Sequence, residues 1–220
     1  MSTSAVTSPR AAETLQFGPL VVHFDDRVLR PRPWTLAQSE WGAELLPDLP
    51  PGPVLEICAG AGHIGLALAV ATDRPMLLLD ADRTACEFAT LNTRLAGLAD
   101  RVRVRHGRMD AVLDPHERFA LVLADPPYLP SSDTASFPED PLTAVDGGDD
   151  GLDLARQCVE VMADHLSPGG AGLLQLRDRE QAERIAAHVA ARPRPVLRAR
   201  GSRVLAEGAV LHLVKEESWD

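Results

Sequence analysis

The chain is short of positive charge, of cysteine and of long apolar runs, and each shortage excludes a class of protein. It has 22 Lys and Arg against 32 Asp and Glu, a net charge of -10, which disfavours the nonspecific phosphate attraction that dominates nucleic-acid binding. Three cysteines, an odd number, lie far apart in apolar stretches and favour free core thiols in a reducing compartment. No stretch approaches the length of about 18 apolar residues that a bilayer-spanning helix needs. We therefore predict a cytoplasmic protein without a membrane partner.

The length of 220 residues suits one α/β domain with a proper core, and it is too short for two sizeable domains. Residues Met1–Arg10 are rich in Ser and Thr and contain no apolar block. The proline-rich stretch Pro47–Pro53 predicts a linker. We therefore expect residues 1–50 to be an N-terminal extension with short strands and a helix, and residues 51–220 to form the main domain.

Short apolar runs alternate with helix-like segments from Val54 onward. The apolar runs are Val54–Cys58, Met76–Leu79, Val102–Arg105, Leu121–Ala124, Ala171–Leu176, Val196–Arg200 and Ala209–Val214. Helical spacing covers Ile64–Ala71, Thr84–Leu95, Leu152–Leu166 and Glu180–Ala191, and Pro168–Gly170 is expected to end the third of these helices. Upstream, Leu15–Leu29 is predicted as a strand or hairpin, and Ser39–Leu46 as a short helix. The alternation predicts an α/β fold, a doubly wound Rossmann-like sheet that is mostly parallel with one antiparallel strand.

A glycine-rich turn follows the first of these apolar runs. Gly60, Gly62 and Gly65 stand where a strand must turn sharply into a helix and leave its backbone open to a ligand. Asp80 ends the next predicted strand, where an acid holds the hydroxyls of a ribose. These four residues predict an adenosine-containing cofactor, and by themselves they do not choose between NAD and S-adenosylmethionine.

Glu56 lies shortly before this turn and favours S-adenosylmethionine. The pyrophosphate of a dinucleotide needs the positive N-terminal end of a helix, and a nearby carboxylate would oppose it. S-adenosylmethionine has no phosphate, and its ammonium and sulfonium groups are cationic. We therefore predict Glu56 as a cofactor-binding residue, whereas His63 is expected to start a helix and to face solvent or the edge of the cofactor, without a catalytic role.

The second informative element is Asp125-Pro126-Pro127-Tyr128, directly after the run Leu121–Ala124. It therefore emerges at the carboxyl edge of a strand, where open α/β sheets bind ligands. Asp125 and the carbonyl of Pro126 can accept the two hydrogens of an NH2 group, and Tyr128 offers a flat face to a planar amide or base. Such a cage would turn the nitrogen lone pair toward a methyl donor, so we predict Asp125, Pro126 and Tyr128 as catalytic residues. The segment Ser131–Asp150 is expected to cover the substrate side.

These elements together resemble class I S-adenosylmethionine-dependent methyltransferases, and within them the HemK/PrmC type that methylates a glutamine side chain of peptide release factors. The segments that carry the resemblance are Leu29–Pro33, Val54–Gly65, Leu79–Asp80, Asp125–Pro130 and Ala144–Asp153. The resemblance implies that Val54–Gly65, which includes Cys58, forms the cofactor loop. It also implies that Asp125 borders the cofactor as well as the acceptor.

The chain departs from this family at three places. The stretch before Leu29 is shorter than the helical substrate-recognition domain of the bacterial members. Asp125 stands where the family has Asn, and a carboxylate cannot donate, but it accepts two hydrogens or pairs with a cationic amine. Arg108 takes the place of an acid that helps to fix the adenine. We expect Asp110 or backbone groups to replace that acid.

We therefore expect an S-adenosylmethionine-dependent N-methyltransferase that acts on a side-chain amide or amine of a protein, peptide or related small molecule. One alternative is an adenine-N6 methyltransferase on RNA or DNA, which Asp125 favours and the acidic balance disfavours; the densest local basic group is formed by Arg101, Arg103, Arg105 and Arg108. A second is an NAD-dependent oxidoreductase with the same glycine loop, although the sequence indicates no proton donor for a nicotinamide. A third is a module that binds the cofactor without transferring methyl. The oligomeric state stays open.

Overall fold

A computed structural model describes residues 12–192 and 196–216, so the polar start Met1–Arg10 lies outside the described residues. The strands are β1 (Glu13–Phe17), β2 (Leu20–Phe24), β3 (Val54–Ile57), β4 (Met76–Asp80), β5 (Val102–His106), β6 (Phe119–Ala124), β7 (Leu166–Leu176), β8 (Leu197–Val204) and β9 (Ala209–Lys215). The helices are α1 (Leu36–Leu45), α2 (His63–Ala71), α3 (Arg83–Leu95), α4 (Leu142–Val145), α5 (Asp153–His165) and α6 (Arg179–Ala190). Among these helices, none has the length and apolar character to cross a membrane.

Seven strands form one sheet in the order β5-β4-β3-β6-β7-β9-β8. Strands β5, β4, β3, β6 and β7 are parallel, and β9 runs antiparallel to both of its neighbours. The predicted doubly wound, mostly parallel sheet with one antiparallel strand is therefore confirmed. Its strand order reverses at β3, because the chain moves outward to β4 and β5 and then returns to β6 on the other side. In open α/β sheets a ligand crevice lies at this point.

Each face of the sheet is covered by its own helices. Along β6, the alternating side chains Leu121 and Leu123 pack with α1, α2 and α3, whereas Val122 and Ala124 pack with α5 and α6. Because both faces are covered, the central strands are apolar at nearly every position rather than at every second one. Glu56, in the middle of β3, is the exception and is only 2% exposed.

The antiparallel hairpin of β1 and β2 lies against the first helical layer. Asn92 on α3 fixes it there: its Oδ1 accepts from the His23 N–H at 2.8 Å, and its Nδ2 donates to the His23 carbonyl at 3.0 Å. The same Nδ2 donates to the Ala61 carbonyl at 3.0 Å. One buried amide therefore holds both the hairpin and the glycine loop. The hairpin predicted over Leu15–Leu29 is confirmed, although its strands are shorter.

The prediction that Pro168–Gly170 end the third helix is wrong. Helix α5 ends at His165, and β7 begins at Leu166. Pairing with β6 passes from Phe119–Leu166 to Leu121–Ala171, so β7 accommodates three more residues than β6 over this interval. Proline has no N–H to give to a ladder and is tolerated in a strand at such an irregularity. Pro168–Gly170 therefore mark a bulge inside a strand.

The division of the chain at residue 50 stays a prediction. Helix α1 and the turn after it, which belong to the predicted extension, place Trp41 and Leu46 in the same hydrophobic cluster as Val54 of the main domain. Gln38 of α1 also donates from Nε2 to the carbonyls of Ala124 at 3.1 Å and Leu173 at 2.8 Å. These contacts attach the helix directly to the central sheet.

Candidate functional site

Two adjoining cavities open at the carboxyl ends of β3, β4 and β6. The glycine-loop cavity, of about 350 Å³, is bordered by Cys58, Gly60, His63, Asp80, Asp110 and Asp125. The tyrosine cavity, of about 620 Å³, is bordered by Arg32, Trp34, Asp125, Pro126, Tyr128 and Phe137. The residues common to both are Leu29, Asp125, Pro127 and Ala144. Asp125 is therefore the ionisable side chain that both cavities share.

The three glycines of the loop meet three different requirements. Gly60, at φ +54°, borders the glycine-loop cavity, and a Cβ there would meet nothing within 4 Å. Gly62, at φ +81°, is the N-cap of α2 and needs that left-handed conformation. Gly65 lies deeper, where a Cβ would be 2.2 Å from the Glu56 carboxyl and 2.6 Å from the Leu78 side chain. Only Gly60 borders the cavity, whereas Gly65 permits close packing of helix on strand.

Asp80 ends β4 and faces the glycine-loop cavity. Its Oδ2 accepts from the Gly60 N–H at 2.8 Å, and its Oδ1 accepts from the Asp82 N–H at 2.8 Å. Burial raises the pKa of Asp80 against the opposing effect of these two N–H groups. The bonds fix the direction of the carboxylate, and its remaining lone pairs can accept hydroxyl hydrogens from a ligand.

Glu56 does not border the cavity. Its Oε2 accepts from the Gly65 N–H at 3.0 Å, so the carboxyl lies beneath the loop at the start of α2. Burial raises the pKa of Glu56 well above its usual range, and the neighbouring Asp125 and Asp80 raise it further. The predicted contact of Glu56 with a cofactor stays a prediction. In this structure its evident contact is with the helix that carries the loop.

Asp125 leaves the end of β6 between the two cavities. Burial raises the pKa of Asp125 from its usual 3.8 to about 7. Among the ion pairs of the described residues, none joins a Lys or Arg to Glu56, Asp80 or Asp125. Asp80 and Asp125, two carboxyl groups of the cavity wall without a cationic partner among these ion pairs, make this edge of the sheet suitable for a positively charged ligand.

The structure brings the three predicted catalytic residues together. Asp125, Pro126 and Tyr128 all border the tyrosine cavity. Burial raises the pKa of the Tyr128 phenol, and the neighbouring Asp125 raises it further, so the phenol stays protonated at neutral pH. The Tyr128 carbonyl accepts from Gln181 Nε2 at 2.9 Å, which fixes the loop against α6.

Cys58 and Asp110 both border the glycine-loop cavity. Cys58 adopts φ +56°, a rare conformation for a residue with a side chain, directly after β3. A hydrogen bond with Cys158, together with burial, raises the pKa of the Cys58 thiol well above its usual range. Asp110 pairs with Arg108 at 2.7 Å, and both side chains are exposed. Binding of a cofactor by Cys58 or Asp110 stays a prediction.

Two parts of the cavity walls were not predicted as site residues. His63 is 8% exposed and borders the glycine-loop cavity. Its Nε2 lies 3.4 Å from Thr35 Oγ1, and Thr35 Oγ1 donates to the Arg32 carbonyl at 2.8 Å. Burial lowers the pKa of His63 to about 4. The sequence left open whether His63 faces solvent or the cofactor, and the structure places it in the cavity wall.

The second part is formed by the segment Ser131–Asp150, which was expected to cover the substrate side. Thr143 and Ala144 border the glycine-loop cavity, and Phe137 and Asp140 border the tyrosine cavity. Asp140 forms an ion pair with Arg32 of the N-terminal extension. The segment therefore contributes to both cavities.

Acidic side chains pair with two of the four arginines of the basic group Arg101–Arg108. Arg105 pairs with Glu117 at 2.7 Å, and Arg108 pairs with Asp110. Arg101 and Arg103 donate to the backbone carbonyls of Thr72 and Ala99. Backbone carbonyls carry no net charge, so Arg101 and Arg103 keep theirs, and the group supports phosphate binding less than four unpaired arginines would.

Comparison with known proteins gives a matching family and several relatives. Residues 39–137 match the methyltransferase small domain. The release factor glutamine methyltransferase of Deinococcus radiodurans is 35% identical over 75% of this chain and 60% of its own length. The enzyme of the same name from Gloeobacter violaceus is 34% identical over 71% of this chain and 57% of its own. The ribosomal protein uL3 glutamine methyltransferase of Bradyrhizobium diazoefficiens is 33% identical over 73% of this chain and 54% of its own length. The chain thus spans between half and two thirds of these relatives.

Solved structures agree on the fold. A methyltransferase from Pyrococcus furiosus has a TM-score of 0.65 and 19% identity, and the match covers 90% of each chain. The catalytic domain of human Mettl16, in complex with a MAT2A 3'UTR hairpin, has a TM-score of 0.71 and 14% identity over 92% of this chain and 77% of its own. The resemblance found in the sequence is confirmed. The oxidoreductase alternative has no such support.

Proposed function

Because the chain carries a methyltransferase small domain related to the glutamine methyltransferases of release factors and ribosomal protein uL3, we propose that it transfers a methyl group from S-adenosylmethionine to a side-chain nitrogen of a protein. One observation carries the proposal. Asp125 lies in the common wall of a cavity with a glycine loop and a cavity with Pro126 and Tyr128. A group bound in one cavity can therefore meet a group bound in the other at this carboxyl.

The glycine-loop cavity fits S-adenosylmethionine in size and charge. Its volume of about 350 Å³ lies within the usual range of about 300 to 1,000 Å³ for small-molecule pockets. The carboxyls of Asp80 and Asp125 have no cationic partner among the described ion pairs and suit a ligand with ammonium and sulfonium groups. We assign the ribose hydroxyls to Asp80 and the backbone approach to Gly60. When bound, S-adenosylmethionine supplies an electrophilic methyl group.

The tyrosine cavity would hold the methyl acceptor. Asp125 and the carbonyl of Pro126 accept hydrogens from the acceptor nitrogen, and this directs its lone pair away from them. Tyr128 presents a ring face to the acceptor group. Holding the nitrogen in this orientation removes the entropic cost of a random encounter between acceptor and donor. This cost is a large part of the barrier to a displacement reaction.

A protein acceptor is supported by the names of the relatives, which act on a release factor or a ribosomal protein. A peptide or small-molecule acceptor and a cytoplasmic location are further predictions from the sequence. An adenine acceptor remains the alternative, because the carboxyl of Asp125 could accept from the amino group of a base.

In the decisive experiment, the protein is incubated with methyl-labelled S-adenosylmethionine and a cell lysate. We expect label in protein, and we expect the Asp125→Ala variant to incorporate none while it still binds the cofactor in calorimetry. Label in RNA or DNA would instead support the adenine alternative. Binding of NAD in place of S-adenosylmethionine would contradict methyl transfer altogether.

A further inference from the structure

We propose that the methyl acceptor enters the tyrosine cavity as a cationic primary amine, and that Asp125 removes the proton that the amine must lose before it is methylated. The proposal rests on the proposed function and specifies which kind of side-chain nitrogen is methylated. It selects a lysine side chain or an N-terminal amino group in place of a glutamine amide.

The wall of the tyrosine cavity carries more acidic than basic side chains. Five acidic side chains border the tyrosine cavity, namely Asp125, Asp133, Glu139, Asp140 and Glu207, against two arginines, Arg32 and Arg177. Both arginines are already neutralised, Arg32 by Asp140 and Arg177 by Asp133 at 2.8 Å. Asp125, Glu139 and Glu207 have no cationic partner among the ion pairs of the described residues. The wall therefore has negative charge in excess.

The hydrogen-bonding capacity of Asp125 suits an ammonium group better than an amide. An ionised carboxylate only accepts. An ammonium group has hydrogens alone to offer, so all of its polar surface suits this wall. A glutamine amide also carries a carbonyl oxygen, which would have to turn away from these carboxylates to the Trp34 indole N–H, a buried donor of the same wall. Electrostatic complementarity of this kind selects one partner and rejects the other.

The groups that interact electrostatically with Asp125 include no cation that would pair with its carboxylate. Its electrostatic neighbours are Glu56 on β3, Cys58 after that strand and Tyr128 in its own loop, and each of them has a raised pKa. All three are neutral or negative, so none supplies a cation. Burial raises the pKa of Asp125 to about 7, which is the range in which a carboxylate works as a general base near neutral pH.

The proton and electron transfers balance without a further reagent. A proton passes from the ammonium nitrogen to an oxygen of Asp125. The lone pair left on nitrogen forms the new C–N bond while the C–S bond of the methyl donor breaks, and the electron pair of that bond stays on sulfur. An α-amino group, with a usual pKa of about 8, transfers its proton to Asp125 more readily than a lysine, with a usual pKa of about 10.4.

The test exploits the different stability of the two products in acid. Total cell protein is methylated with the wild-type chain and tritium-labelled S-adenosylmethionine, and the protein is then hydrolysed in strong acid. An N-methylated amide breaks down and releases volatile methylamine, whereas a methylated amine remains with its amino acid. We expect the label in the non-volatile methylamino acids. Label in methylamine overturns the inference but leaves the proposed function intact.

The Asp125→Asn variant supplies a second readout, and Asp73→Asn is its matched control. Asp73 is exposed and precedes β4, so it lies at the opposite edge of the sheet. We expect Asp125→Asn to lower amine methylation by about 10²-fold or more, the usual contribution of a general base. Because Asp125 also borders the glycine-loop cavity, methylation is compared at saturating S-adenosylmethionine, and Asp73→Asn should change neither amine methylation nor cofactor affinity. Amine methylation that survives in Asp125→Asn, or that falls equally in the control, rejects the role of Asp125. Absence of labelled protein with the wild-type chain rejects the proposed function and this inference together.

Discussion

The raised pKa of Asp125 predicts that the Asp125→Asn variant is more stable than the wild-type chain, and increasingly so as the pH rises. Below pH 3.8 the carboxyl is protonated in both the folded and the unfolded chain, so it differs little from an amide. Above that pH the unfolded chain loses the proton, whereas the folded chain keeps it until the pH reaches about 7. Folding stability of the wild-type chain therefore falls through this interval, because the unfolded state gains from ionisation first. The amide has no such dependence.

The size of the effect follows from the same interval. Between 3.8 and about 7, each pH unit corresponds to about 1.36 kcal/mol, which sets an upper limit of about 4 kcal/mol. Because the carboxyl borders two cavities that admit solvent, we expect a stabilisation of about 1 to 2 kcal/mol at pH 8. Removal of its charge also relieves Glu56 and Tyr128, whose pKa values Asp125 raises, and this acts in the same direction.

The measurement is urea denaturation of both chains at intervals from pH 4 to pH 8. The difference in unfolding free energy between variant and wild type should increase up to about pH 7 and then become constant. Asp73→Asn, at the far edge of the sheet, serves as the reference for loss of one carboxyl. A difference that does not change with pH, or a variant less stable than the wild type at pH 8, would refute the reasoning.

Three further predictions concern the glycine-loop cavity and the extension. Asp80→Ala removes the proposed acceptor of the ribose hydroxyls and should weaken S-adenosylmethionine binding by about 1 to 3 kcal/mol in calorimetry; unchanged affinity would exclude that role. Gly65→Ala forces a Cβ within 2.2 Å of the Glu56 carboxyl and should lower the free energy of unfolding by about 1 to 3 kcal/mol. If Gly65→Ala had the same free energy of unfolding in urea as the wild-type chain, α2 would have to accommodate the added Cβ without cost. Asn92→Ala leaves the part-buried backbone groups of His23 and the buried carbonyl of Ala61 without their partner and should destabilise the fold by about 1 to 3 kcal/mol. Equal thermal midpoints of variant and wild type would contradict this prediction.

The sheet was predictable from sequence because strands buried on both faces are continuous apolar runs, and the helices between them keep their spacing. The bulge at Pro168–Gly170 was not, because proline and glycine also end helices and only the pairing partner distinguishes the two cases. For the site, the glycine turn and Asp125–Tyr128 indicated both cavities. The direction in which the Glu56 side chain points could not be predicted from the sequence. A carboxyl on a central strand can face the ligand or the helix above it, and the N–H of Gly65 decides between them.

Leu29, Asp125, Pro127 and Ala144 form a wall with a cavity on each side, and such a partition couples the two occupants thermodynamically. A displacement of the wall that improves one compartment alters the other. By reciprocity, a ligand that changes the affinity of its neighbour by some factor has its own affinity changed by the same factor. Synergy or antagonism between methyl donor and acceptor that passes through these four residues would appear in the pattern of product inhibition.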